Sequence, residues 1–170
     1  MTSTFASLVP PALPPVVLPA GIHPARCRVG VDIASIAEVA EASARVGSRY
    51  LEHVFTDHER ACCTGTPEVV ASGLAARFAA KEAVVKVLRP VGPRPPWRSI
   101  EVRRVDGGAC ELALSGEAAR LAAEAGISEL TVSLTHERHW AAAVVVAVCD
   151  NPTQANQSRQ NQRIKEKSNG

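Results

Sequence analysis

The run Leu74-Ala-Ala-Arg-Phe-Ala-Ala-Lys-Glu-Ala-Val-Val-Lys-Val-Leu88 decides how this chain folds. Ala, Leu, Glu and Lys are strong helix formers, and with neither Gly nor Pro inside it the run predicts a helix over 74–88, preceded by Ser72 or Gly73. On a helical wheel Leu74, Phe78, Val85 and Leu88 share one face, the stripe expected to be buried. Lys81 falls inside that stripe, Glu82 lies at its edge, Lys86 flanks Glu82 one turn further on, and Arg77 precedes Lys81 by one turn on the other edge. Spacing alone leaves two accounts open. In the first, Glu82 and Lys86 form an exposed i,i+4 ion pair worth about 0.2–0.5 kcal/mol, and Lys81 snorkels over the core. In the second, the helix edge faces a cleft in which a carboxylate and two or three cations meet a phosphorylated ligand.

Outward from the helix, the pattern alternates between short helices and strands. Residues 28–33 read as a short buried strand, followed at once by Ser35-Ile-Ala-Glu38, a capping-box pattern that opens a helix. A second capping box, Thr56-Asp-His-Glu59, introduces another short helix. Downstream, 99–105 and 110–114 flank Asp106-Gly-Gly108 as a hairpin, 116–125 reads as a helix ended by Gly126, and 130–135 with 140–148 form a second hairpin around His136-Glu-Arg-His139. The order predicts an α+β domain, a mostly antiparallel sheet packed with a long helix.

Composition bounds the rest. A chain of 170 residues, 46% hydrophobic and 21% charged, suits one soluble domain, and 26–150 is the only stretch able to build a core. The proline-rich 1–25 and the polar 151–170 are expected to be mobile tails. A net charge of +2 without a concentrated basic stripe argues against nucleic acid as a partner. Residues 1–25 contain no Lys or Arg and are interrupted by prolines, so neither a signal peptide nor a membrane span is expected there. Five cysteines without C-x-x-C spacing point to a reducing, cytoplasmic compartment, and vicinal Cys62-Cys63 is expected to be structural.

Two further residues stand out. Asp32 ends an apolar strand, Val29-Gly-Val-Asp32-Ile33, where a charge is costly unless paired or bound to metal. It either favours the dipole of the following helix or joins Glu82 in holding magnesium, which takes one or two carboxylates and completes its shell with water and phosphate oxygens. His136, in Ser133-Leu-Thr-His136, could donate to a phosphate or exchange a proton near neutral pH, although a lone turn histidine is more often inert. Glu137 and His139 do not make a zinc site with it, since H-E-x-H lacks the i,i+4 spacing of the helical motif.

Taken in order, Gly30-Val-Asp32-Ile33, Phe55-Thr-x-x-Glu59, Arg77-Phe-Ala-Ala-Lys81-Glu82-Ala-x-x-Lys86, Trp97-x-x-Ile100-Glu101-Val102 and Ser133-Leu-Thr-His136 resemble the holo-acyl-carrier-protein synthases, the short, single-copy type of the 4′-phosphopantetheinyl transferase superfamily. The match is collinear and runs from Val29 to Val148. The resemblance implies the fold of that family, magnesium held by Asp32 and Glu82, and Arg77, Lys86 and His136 at coenzyme A, with Glu82, Lys86 and His136 taking part in catalysis. It implies transfer of 4′-phosphopantetheine from coenzyme A to a serine of an apo acyl carrier protein of the fatty-acid or polyketide type, in a homotrimer with sites between subunits. The alternative is a module that binds coenzyme A or a carrier without transferring anything. Two departures bear on partners. Glu38 stands where the family usually has an arginine that docks the carrier, which shifts docking to Arg45, Arg49 or Arg28. The stretch Leu88-Arg-Pro-Val-Gly-Pro-Arg-Pro-Pro96 replaces a glycine-rich turn, leaving Arg89 or Arg94 as candidates for the 3′-phosphate.

Overall fold

A computed structural model describes residues 26–150, so the expectations for 1–25 and 151–170 lie outside the described residues. Strand β1 (Cys27–Ser35) leads into helix α1 (Ile36–Val46), then α2 (Ser48–Val54), α3 (Asp57–Cys62) and the long α4 (Pro67–Leu88). Strands β2 (Ile100–Arg104) and β3 (Cys110–Leu114), helix α5 (Gly116–Glu124), and strands β4 (Ile127–Glu137) and β5 (Trp140–Cys149) complete the domain. Every pairing among these strands is antiparallel, as expected, but it is divided between two sheets: three strands in the order β1-β5-β4, and the hairpin β2-β3.

Local chemistry explains the boundaries. The Ser35 hydroxyl accepts the Glu38 amide and starts α1. Gly47, at φ 67°, then breaks the chain direction before α2, a short helix that the sequence reading did not separate from α1. Thr56 and Glu59 close a reciprocal capping box at the start of α3, as expected. Helix α4 begins one full segment earlier than expected, because Thr66 caps it and Pro67 occupies its first turn, where a missing N–H costs nothing. Its end is a left-handed turn at Arg89, φ 51°.

The expected one-sided stripe on α4 is also too narrow. Leu74, Ala75, Ala76, Ala79, Ala80, Ala83, Val84, Val85, Val87 and Leu88 are all buried, so the helix is enclosed on most of its circumference. Alanine makes this possible, since its small side chain lets a strand lie close to the helix. The inner face of the large sheet answers in kind with Ala34, Ala141, Ala143, Val145 and Ala147. The outer face of the same sheet is apolar and exposed, with Val29, Val31 and Ile33 on β1 and Trp140, Val144 and Val148 on β5.

Candidate active site

The site begins with a close approach of backbone to backbone. At Gly30 an added methyl would run into the Ala83 carbonyl oxygen and come within 2.9 Å of Val87 Cγ2, so only glycine lets β1 settle onto α4 at this point. Arg28 fixes the same contact from one side, with Nη1 donating to the Val87 carbonyl at 3.1 Å. Two residues beyond Gly30, Asp32 therefore emerges on the face that α4 covers.

Helical side chains lean toward the N-terminus, so the ammonium of Lys86 overlies the turn that carries Glu82. Lys86 Nζ donates to Asp32 Oδ1 at 2.8 Å and to the Val31 carbonyl at 2.6 Å. Glu82 Oε1 accepts from Arg94 Nη1 at 2.9 Å. The exposed Glu82–Lys86 pair allowed by the spacing is thus not made: each turns to a partner from another segment, β1 for Lys86 and the loop after α4 for Glu82. The two carboxylates are mostly shielded, 19% and 23% exposed, while their cations are half open, 50% for Lys86 and 55% for Arg94.

Arg77 and His136 are not part of this group within one chain. Arg77 is buried, nine residues or about 13.5 Å of helix rise from Lys86, and its Nη1 donates to the Gly73 carbonyl at 3.1 Å. His136 lies inside β4 opposite Ala141, not in the turn where the sequence reading put it; the turn consists of Arg138, at φ 44°, and His139. It is two strands from β1, about 10 Å across the sheet. There it lines a cleft with Ile36, Pro67, Ser72, Arg138 and His139.

A profile of the 4′-phosphopantetheinyl transferase superfamily matches residues 28–149. A holo-[acyl-carrier-protein] synthase of Desulforudis audaxviator is 42% identical over 120 residues, covering 71% of this chain and 91% of the relative. One from Myxococcus xanthus is 44% identical, covering 69% and 91%. The chain belongs to the 4′-phosphopantetheinyl transferase superfamily. Among solved structures, the Chronobacterium ammoniagenes ACPS–CoA complex superposes with a TM-score of 0.63 at 32% identity, covering 74% of this chain and 98% of the other. Helicobacter pylori holo-[acyl-carrier-protein] synthase in complex with coenzyme A gives 0.61 at 28%, covering 71% and 99%. The expected α+β transferase fold is therefore present.

Next to this open group lies a closed one that the sequence reading missed. Lys81 does not snorkel. It is fully buried, and its Nζ meets Glu59 Oε2 at 2.9 Å, the Trp97 carbonyl at 3.0 Å and the Ile100 carbonyl. Glu59 in turn accepts from the Thr56 amide at 2.8 Å and from the Val102 amide at 2.9 Å. Burial holds the Lys81 ammonium below its ordinary range, and the Glu59 carboxylate offsets only part of that shift. The signal was available: Thr56-x-x-Glu59 and a lysine inside an apolar stripe are two buried charges that require each other.

The vicinal cysteines sit in different surroundings. Cys62 Sγ lies 3.5 Å from His58 Nε2, one turn back on α3. Cys63 is half-buried, and its thiol is pushed up by burial. Of the arginines considered for docking a carrier, Arg45 and Arg49 are exposed, whereas Arg28 is half-buried and committed to Val87.

Proposed function

We propose that this chain is a magnesium-dependent holo-acyl-carrier-protein synthase, which moves 4′-phosphopantetheine from coenzyme A to a serine hydroxyl of an apo acyl carrier protein of fatty-acid or polyketide assembly. The single observation that carries the proposal is the meeting of Asp32 from β1 with Lys86, one turn after Glu82, across the Gly30 contact.

The donor set suits magnesium. Asp32 and Glu82 are hard oxygen donors, each now neutralised by a cationic side chain of the same protein. Among the described residues no group of three or more His, Cys, Asp or Glu is placed to hold a metal, and magnesium does not need one, since substrate phosphates and water fill its remaining positions. Bound there, the ion supplies positive charge against the diphosphate of coenzyme A.

The chain's own residues do the rest. Lys86 donates to a phosphate oxygen and stabilises the charge that grows on the departing 3′,5′-ADP. Glu82 holds the water that takes the serine proton as the hydroxyl oxygen bonds to the β-phosphorus and the P–O bond to the leaving nucleotide breaks. Positioning dominates over covalent chemistry, because no enzyme-bound intermediate is required. His136 and Arg77 act at coenzyme A from outside this group, His136 across a subunit boundary.

That boundary is the exposed sheet face. Val29, Val31 and Ile33 on β1 are 58%, 48% and 62% exposed, a contiguous apolar surface that copies of the chain cover in a homotrimer. Five unpaired thiols suit the reducing cytoplasm, and among the described residues no helix is long and apolar enough to cross a membrane.

The deciding experiment incubates the protein with coenzyme A, magnesium and a panel of apo carriers and weighs the carriers. Transfer adds one phosphopantetheine arm; coenzyme A binding without that gain in mass would establish a binding module instead. Light scattering tests the assembly. Ile33→Glu places a charge on each copy of the apolar face and is expected to give monomers with transfer lost, and a trimer that persists would move the interface elsewhere.

A further inference from the structure

Glu82 is held by a residue whose placement is unusually well determined. Arg94 lies between Pro93 and Pro95, whose rings fix their own φ, and the residue before a proline is confined to extended conformations. Its guanidinium carbon is 4.8 Å from the centre of the Trp97 ring, and Trp97 packs on Phe78 of α4 at 5.4 Å. Backbone and stacking therefore aim the guanidinium at Glu82 Oε1, 2.9 Å away.

The charges around the site then balance. Asp32 and Glu82 contribute two negative charges, Lys86 and Arg94 two positive ones, and the pairs are one to one. A divalent cation that takes Asp32 Oδ1 or Glu82 Oε1 must displace the side chain bonded there, and Arg94, more than half exposed, is the one with solvent to move into. We propose that Arg94 is the internal counter-ion that Glu82 exchanges for the divalent cation, so that position 94 sets the affinity of the site for that cation.

This rests on Glu82 as a metal ligand. It adds that cation and coenzyme A arrive best together. The displaced guanidinium is tethered by the prolines within side-chain reach of the site, and a diphosphate gives it a new anionic partner. Alone, the cation must break the Arg94–Glu82 pair with no such compensation.

The test is calorimetric titration of magnesium into coenzyme A-free protein, with circular dichroism confirming the fold of each variant. Arg94→Met keeps the length and the apolar contact with Trp97 and deletes the charge, and is expected to bind magnesium about threefold more tightly or better, the scale of a half-exposed ion pair. Arg94→Lys keeps the charge and should bind nearly as weakly as the natural protein. Equal affinity in the natural protein and Arg94→Met would overturn the proposal, as would a lysine variant as tight as the methionine one. Glu82→Gln separates the two levels: magnesium binding that survives it in the Arg94→Met background refutes Glu82 as a ligand, whatever Arg94 does.

Discussion

Lys81 and Glu82 are neighbours in sequence and opposites in environment. Lys81 is fully buried, paired with an equally buried Glu59, and every oxygen of that carboxylate is also tied to a backbone amide. Glu82 is partly open, and its partner Arg94 comes from a loop and is half exposed. A charge sealed in by backbone hydrogen bonds cannot be exchanged for a ligand, so the Lys81 pair is structural: it joins α3, α4 and β2. A charge whose partner can leave is available for chemistry. One helix carries both because its turn places consecutive side chains about 100° apart, one toward β2 and the other toward the cleft.

The largest expected effect breaks the closed side. Lys81→Met leaves Glu59 buried without its cation, a change that typically costs about 3–5 kcal/mol, and Tm should fall by on the order of 10 °C or more. Adding Glu59→Gln removes the stranded charge but keeps an acceptor for only one of the Thr56 and Val102 amides, so thermal melts should show the double variant recovering only part of the loss. A double variant worse than Lys81→Met alone would mean that the pair is not what couples these residues.

The open side should behave in the reverse manner. Asp32→Asn and Glu82→Gln are expected to lower transfer on the order of a thousandfold, with Tm shifting by only about 3 °C, because neither change leaves a buried charge unpaired. Carrier mass and thermal melting, measured on the same samples, separate the two cases. A large fall in Tm with either variant would place Asp32 or Glu82 on the structural side.

The sequence made the open side more legible than the closed one. Gly30-Val-Asp32 and Lys81-Glu82-Ala-x-x-Lys86 mark the residues that converge, because a charge beside an apolar stripe is visible in a periodic pattern. What periodicity does not carry is the identity of a partner. Lys86 could equally have served Glu82, and only the packing of β1 on α4 at Gly30 gives it to Asp32. Helix starts follow the same logic. The capping box at Thr56 is legible in the sequence, while the true start of α4 at Pro67 is masked because the Gly73 that the helix passes through resembles a stop. The division into two sheets, and the position of His136 within β4 instead of in its turn, depend on register over ten residues, which local turn signals do not determine.

A third acid places the comparison on a scale. Glu101 lies on β2, between Ile100 and Val102, the two residues whose backbone groups close the Lys81 pair. Its carboxylate meets Arg103 Nε at 2.6 Å and is 17% exposed. Hydrogen bonding from Thr56 and then from Arg103 holds the Glu101 carboxyl below the usual range. Since the folded form is the more acidic, the ionised side chain stabilises the protein at every pH above the unfolded value near 4.5, and that contribution fades as pH falls through the lower folded value. Glu101→Gln should therefore reduce Tm by only a few degrees at pH 7, and the melting curves of the natural protein and the variant should converge as pH falls below 4.5. A gap that stays constant over this range would show that Glu101 acts through packing and not through its charge. It would then be grouped with Glu59, as part of the framework that holds α3 and α4 to the small hairpin.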